Sequence, residues 1–256
     1  MIKSMCHCSL NRSDSRYPWL AAATLMLASV VSSCSTRPLD PATLDAAGIL
    51  ESMAATYGAA SSYLDSGQVE EVVQTQGMTI TTGRPFSIAF VRPDRFRFQF
   101  TDPNGMRLDS GRNSNVAIVW RDGDAVQSWW DLNPTAVQNQ SLAVALTGPD
   151  AISRGAARHT PALLMPGEID GPRLSGMANA VRLEDVSCGE NRCFVIEGDY
   201  AGNRQRIWVD QGSFLLRRME QDFVVRSSHY FITIEYDPAI NLEVNPEQLA
   251  FNPPLD

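Results

Sequence analysis

A single lysine, Lys3, stands in 256 residues, so beyond it every basic side chain is arginine. The chain is acidic, with a formal net charge of −8 and a sequence pI of about 4.9. An acidic surface repels phosphate backbones, which makes nucleic acid a poor partner. Histidine is equally scarce, at three residues, and one of them, His7, lies close to the N-terminus. That leaves His159 and His229, far apart in sequence. There is no Gly-x-Ser-x-Gly elbow, zinc-binding helix motif or P-loop, so the usual constellations for nucleophilic, metal-assisted or phosphoryl chemistry are missing. No apolar run is long enough to span a bilayer, which takes roughly 20 residues. Internal repeats and low-complexity segments are also lacking.

The longest apolar run, residues 19–31, is interrupted only by Thr24 and Ser29. It follows Lys3, Arg12 and Arg16, and its thirteen residues have the length and flanks of a signal-peptide h-region. It ends in Val31-Ser32-Ser33-Cys34, an aliphatic residue and two small ones before cysteine, which resembles the bacterial lipobox. That resemblance implies a leader over residues 1–33, cleavage before Cys34, and acyl chains of the palmitate type on its thiol and new N-terminus. Two or more such chains anchor a protein stably, whereas one binds only marginally. An ordinary secretory signal that happens to contain Cys34 is the alternative, and Met5 is a second candidate start. Removing Lys3, Arg12, Arg16 and Asp14 from 21 basic and 29 acidic residues leaves 18 and 28, a net −10.

Five cysteines occur in all, and Cys6 and Cys8 flank His7 inside the leader, with no fourth ligand nearby. We expect no metal and no cofactor. Past Cys34 the only pair is Cys188 and Cys193, flanking Gly189-Glu190-Asn191-Arg192. Opposed residues of a hairpin lie within disulfide reach, and export to an oxidising compartment favours the bridge. The spacing is not Cys-x-x-Cys, so a structural staple is expected over a redox pair.

Residues 34–40 read as a tether and residues 41–256 as one domain. Asp40-Pro41 offers an N-cap with proline at the first helical position. Leu44, Ala47, Leu50, Ala54 and Tyr57 then recur at helical spacing, which predicts a helix over residues 41–57. A long polar strand over residues 63–76 precedes the clearest alternation in the chain. Phe86, Ile88 and Phe90 point one way, and after the Arg92-Pro93-Asp94 turn so do Phe96, Phe98 and Phe100, with Arg95, Arg97 and Gln99 opposed. A sheet with one apolar face must cover it. Strands are predicted over residues 115–120 and 125–130, joined at Arg121-Asp122-Gly123-Asp124. Residues 141–146 read as a short helix ended by Gly148-Pro149, and residues 150–164 as a second, broken near Thr160-Pro161. From residue 181 to 236, short β-branched and aromatic runs separated by Gly, Asn, Asp and Ser predict a β-meander. Strands so close leave no room for crossover helices, so the pairing is antiparallel. Residues 249–254 read as a last edge strand, which their prolines suit.

Candidate chemistry is thin. Arg204, Arg206, Arg217 and Arg218 are candidates for an anion site, yet Asp199, Asp210 and Glu220 are near them in sequence as ion-pair partners. Glu184, Asp185 and Glu197 are the only candidates for paired carboxylates in the meander, and ordinary sheet surface is the stronger reading.

The order helix, long strands, helical insert and meander resembles the LolA/LolB-like superfamily of bacterial envelope proteins. The likeness rests on Arg92-Pro93-Asp94-Arg95-Phe96-Arg97 and on Cys193-Phe194-Val195-Ile196-Glu197-Gly198. It continues through Ile207-Trp208-Val209-Asp210, Leu215-Leu216-Arg217-Arg218, Ile234-Glu235-Tyr236 and the closing Phe251-Asn252-Pro253-Pro254. The resemblance implies a mainly β (α+β) fold, a curved antiparallel incomplete β-barrel with an N-terminal helix and a helical lid. In the family the concave face holds the acyl chains of lipoproteins or other amphiphiles. Phe90, Phe98, Trp120, Trp129, Leu146 and Leu164 are the candidate lining, and side-chain packing is the alternative role for them. The expected protein is a monomeric, non-enzymatic envelope lipoprotein that contacts the membrane through its N-terminal lipid and binds an acyl chain or lipidated protein. Ser35 after the cysteine is permissive for the outer membrane, facing the periplasm. The alternative is a sensor or interaction module whose cavity is filled by its own side chains.

Overall fold

Alternation of apolar and polar residues decides the architecture, because it gives each strand one face that water rejects. The computed structural model describes residues 41–103 and 115–253. The leader, Cys34, the tether and the proposed Asp40 cap lie outside the described residues.

The first helix, α1, spans Ala46–Ala59. Its cap is Asp45, whose side chain accepts from the Gly48 backbone N–H at 2.8 Å, rather than Asp40. Residues Pro41–Thr43 form a separate 3₁₀ turn. The buried stripe is therefore Ala46, Ile49, Leu50, Met53 and Tyr57, shifted from the predicted one, of which only Leu50 and Tyr57 are buried. A cap four or five residues later starts the helical count later, and the inward face rotates with it.

Two 14-residue strands follow, β1 (Ser62–Thr75) and β2 (Met78–Val91), then β3 (Arg95–Asp102), β4 (Asn115–Asp122), β5 (Ala125–Trp130) and β6 (Asn133–Gln138). After the helical insert come β7 (Ala178–Arg182), β8 (Val186–Cys188), β9 (Asn191–Tyr200), β10 (Asn203–Asp210), β11 (Leu216–Val225), β12 (Ser228–Glu235) and β13 (Ala239–Ile240). They form one 13-stranded antiparallel sheet ordered β6-β5-β4-β3-β2-β1-β12-β11-β10-β9-β7, with β13 on β1 and β8 on β9. Since β6 and β7 do not pair, the sheet is an incomplete barrel. β1 joins its two halves, pairing with β2 on one side and β12 on the other.

Several local expectations change. Residues 133–138 form an edge strand although every one of them is exposed. The predicted closing strand is instead a 3₁₀ turn, Pro246–Leu249, followed by unpaired chain, and β13 supplies the late strand. The two helices of the insert are α2 (Leu142–Ile152) and α3 (Ala156–Leu164), which run through Pro149 and Pro161 respectively. A proline inside a helix removes one backbone bond and crowds the carbonyl four residues earlier, and here both prolines are buried within their helices. The break falls between them, where Arg154 and Gly155 adopt φ of 53° and 98°. There a left-handed backbone ends one helix and starts the next.

All three helices cover the concave face. Ile49, Met53 and Tyr57 of α1, Leu146 of α2 and Leu164 of α3 join Phe86, Ile88, Phe90, Phe96, Phe98 and Phe100 in one core. The meander adds Phe194, Ile196, Ile207, Met219, Ile232 and Ile234 to it. Among the described residues no helix is long and apolar enough to cross a membrane.

Candidate functional site

The concave interior is filled. Phe90, Phe98, Leu146 and Leu164 are each 0% exposed and belong to the common core. Two of the six predicted lining residues are not part of it. Phe98 pairs with Val119, so Val119 faces inward and Trp120 faces out. Trp129 pairs with Ile118, which places it by register on the same convex side. The indole N–H of Trp120 donates to the Leu249 carbonyl at 2.6 Å, and its ring lies 5.8 Å from Phe251. The C-terminal segment thus covers aromatics on the outer face, and aromatic character alone does not mark an inward position.

What stays open is the seam where α2 meets the β6 end of the sheet. A cleft of about 270 Å³ lies there, just under the usual range of about 300–1,000 Å³ for small-molecule pockets. Ala117, Trp130 and Val137 line the sheet side, Val144, Ala145, Gly148 and Pro149 the helix side, and Trp129 borders it. Local hydrogen bonds hold its shape. Ser141 caps α2 by accepting from the Val144 N–H at 3.3 Å, and the Asn139 amide donates to Ser128 Oγ at 2.9 Å. The wall is mostly apolar, with Ser128, Asn133, Thr135 and Asn139 also lining it, and the Trp130 indole N–H is buried without an acceptor among the described residues. A Cβ on Gly148 would meet nothing within 4 Å.

The lid is fastened by charge. Arg154, at the α2–α3 corner, donates to Glu71 Oε1 at 2.6 Å, and Arg84 donates to Glu71 Oε2 at 2.5 Å and to Asp102 at 3.0 Å. Burial pushes the Glu71 pKa up, but the bonds from Arg154 and Arg84 outweigh it and hold the carboxylate below its ordinary value. At the other end Arg92 donates to the carbonyls of Ala60 and Leu164 at 2.8 and 3.1 Å, tying α1 and α3 to the β2–β3 turn. Neither role is signalled by the sequence, since Glu71 and Arg154 are 83 residues apart.

A polar cluster is sealed inside the core. Tyr63 donates to Asp65 at 2.8 Å, the Asp237 N–H donates to the other Asp65 oxygen at 2.8 Å, and His159 Nδ1 lies 3.1 Å from the Tyr236 hydroxyl. Burial raises Asp65 to about 7, against the lowering effect of these two bonds, and lowers His159 to about 3. None of these side chains reaches the cleft, so the cluster satisfies buried polar groups.

The other candidates disperse. Glu197 accepts from Arg204 at 2.8 Å and from Arg206 at 2.7 Å, which lowers its pKa. Asp185 accepts from Arg182 at 2.7 Å, Arg217 lies 3.7 Å from Asp210, and Arg218 bonds Glu220 at 2.5 Å. His229 sits at the β12 start, 3.9 Å from Asp222. Cys188 and Cys193 form a disulfide across the β8–β9 hairpin, with Cα atoms 5.8 Å apart. Among the described residues no group of three His, Cys, Asp or Glu could hold a metal.

Fold and cleft define an open antiparallel half-barrel with a helical lid. No family model matches the chain, and no curated protein matches it. It is similar to the crystal structure of LprF from Mycobacterium bovis, at 8% identity and TM-score 0.45, covering 78% of this chain and 94% of that one. Lipoprotein LppX from Mycobacterium tuberculosis gives 15% identity and TM-score 0.39, with 80% and 98% covered. A LolA superfamily protein from Nitrosomonas europaea, NE2245, gives 11% and 0.31, with 81% and 98% covered. That last neighbour belongs to the group the sequence motifs resemble. Likeness at this level describes topology and assigns no role to this chain.

Proposed function

We propose that the protein is a non-enzymatic envelope lipoprotein, tethered to the membrane through lipidated Cys34, that holds an acyl chain in the cleft between α2 and β4–β6. The observation that carries this reading is the largely apolar cleft between α2 and the β6 end of the sheet, whose lining includes none of the Glu71 and Arg92 contacts described above. Apolar walls favour a hydrocarbon, at roughly 0.8 kcal/mol per buried methylene. The unpartnered Trp130 N–H at the wall suits an acceptor such as an ester or carboxyl oxygen. Extension of the chain further inward requires α2 to move, because the core behind the cleft is filled. Native mass spectrometry of the chain from Ser35 onward tests binding: co-purifying lipid or saturable fatty-acid uptake supports it, and neither being found sinks it. Radiolabelled palmitate incorporation lost in Cys34→Ala tests the anchor.

A second reading is favoured by the filled interior together with β6, an edge strand exposed at all six positions. Unpaired edges accept another strand. On that reading the half-barrel is a protein-interaction module, and envelope partners bind equally well when the cleft is blocked.

A further inference from the structure

The convex face holds a cation that the acyl cleft does not use. Several arginines of the sheet have carboxylate partners, as in Arg84 with Glu71, Arg204 with Glu197 and Arg218 with Glu220. Arg97 on β3 has none among the described residues. Its Nη2 donates to the neutral Gln99 Oε1 at 2.6 Å, and its Nε is buried with no acceptor. Burial pulls its pKa below the ordinary guanidinium range, with no carboxylate opposing the effect. A half-buried charge left like this is costly unless an anion meets it.

A pocket of about 120 Å³ opens beside it, lined by Arg97, Ser66, Ser87 and Gln248 above a floor of β1 and β2. Register builds it: Ser66 faces Ser87, Ser87 faces Gln99, and Arg97 stands opposite Ala89 one step along. Gln248 reaches over from the C-terminal 3₁₀ turn, its Oε1 accepting from the Asn245 N–H at 3.1 Å, which leaves its amide N–H₂ to donate. Asp65 borders the pocket, but its carboxylate is engaged by Tyr63 and Asp237 on the opposite face. The polar side chains facing the pocket are thus a guanidinium, two hydroxyls and an amide, beside the apolar Leu64 and Ala89. At this volume the pocket has room for a tetrahedral oxyanion.

We propose that Arg97, Ser66, Ser87 and Gln248 form a phosphate site on the convex face, filled by inorganic phosphate or by the phosphomonoester of a lipid headgroup. Guanidinium and hydroxyl donors match phosphate oxygens, and binding gives Arg97 a charge partner that none of the described residues supplies. This site is independent of the acyl cleft and stands or falls separately from it.

Isothermal titration of the full chain with inorganic phosphate and, separately, with soluble dihexanoyl phosphatidic acid, both at fixed ionic strength, tests it. Saturable one-to-one binding of phosphate identifies free phosphate as the occupant, and binding of the phosphatidic acid alone identifies the headgroup. Either affinity should weaken about tenfold or more in Arg97→Gln, the loss of one charge-assisted bond. Ser66→Asp, at an exposed position, places a carboxylate beside Arg97 and should abolish binding while the thermal midpoint is kept. Absence of binding by both ligands, or binding unchanged in both variants, overturns the proposal.

Discussion

The two faces of one sheet are built by the same alternation and end in opposite states. On the concave side Phe86, Phe90, Phe96, Phe98 and Phe100 are buried under three helices, with a cleft beside α2. On the convex side Glu197, Arg204, Arg206, Arg218, Glu220 and Glu235 form exposed or half-exposed ion pairs, and the C-terminal segment covers Trp120. The difference teaches where to look for function. A closed apolar face acts only where its lid can part, and an open charged face acts only where pairing is incomplete.

The largest contrast should appear in stability. Phe98→Ala removes a fully buried concave ring and should cost about 3–5 kcal/mol, whereas Trp120→Phe on the convex face loses one hydrogen bond to Leu249 and should cost about 1 kcal/mol. Urea unfolding compares them, and equal losses would erase the distinction between the faces. Next in size is the lid fastening. Glu71→Ala leaves Arg84 and Arg154 without their shared carboxylate and should cost about 3 kcal/mol. Because the Glu71 pKa is depressed in the folded state, its contribution is present above about pH 4.5 and is lost as pH falls through the folded value. A mutant whose deficit stayed constant down to pH 3 would contradict the ion pairing.

The disulfide should contribute less, about 2 kcal/mol for so short a loop, measured as the shift in unfolding midpoint between wild type and Cys188→Ser with Cys193→Ser. Asp65 supplies a slope instead of a step. Its folded pKa of about 7 lies above the ordinary 3.8, so the stability of wild type relative to Asp65→Asn is greatest below pH 4. It declines as pH rises to about 7, by at most ~1.4 kcal/mol per pH unit, and is flat beyond. A difference that grew with pH in that window would show that Asp65 is stabilised as a carboxylate.

Much of the fold is legible in the residues, and the exceptions have physical causes. The phenylalanine alternation of β2 and β3 predicts the inward face residue by residue, because period two survives intact into the sheet. Asn133–Gln138 gave no such pattern: an edge strand exposed on both faces is defined by its hydrogen bonds to β5 alone. Pro149 and Pro161 read as helix ends, yet both sit buried inside helices, where packing compensates a missing bond. Trp120 is expected to line the cavity, yet Val119 faces inward and the C-terminal segment gives the indole a covered site outside. Of the candidate site, Phe90, Phe98, Leu146 and Leu164 were placed in the right layer but are core. The cleft itself depends on Gly148, Val144 and Val137, whose proximity comes from tertiary packing that no local spacing records.

The α2 cleft is the central claim, and Gly148 gives direct access to it. Gly148 lines the cleft and a side chain there meets no other atom at its Cβ, so Gly148→Trp should obstruct the site and leave the thermal midpoint unchanged or slightly raised. Titration of a fluorescent fatty acid into wild type and Gly148→Trp should give saturable binding to the first and affinity weakened about tenfold or more in the second, the worth of roughly two methylenes. Equal affinity for both proteins, or no binding to wild type, would contradict the account.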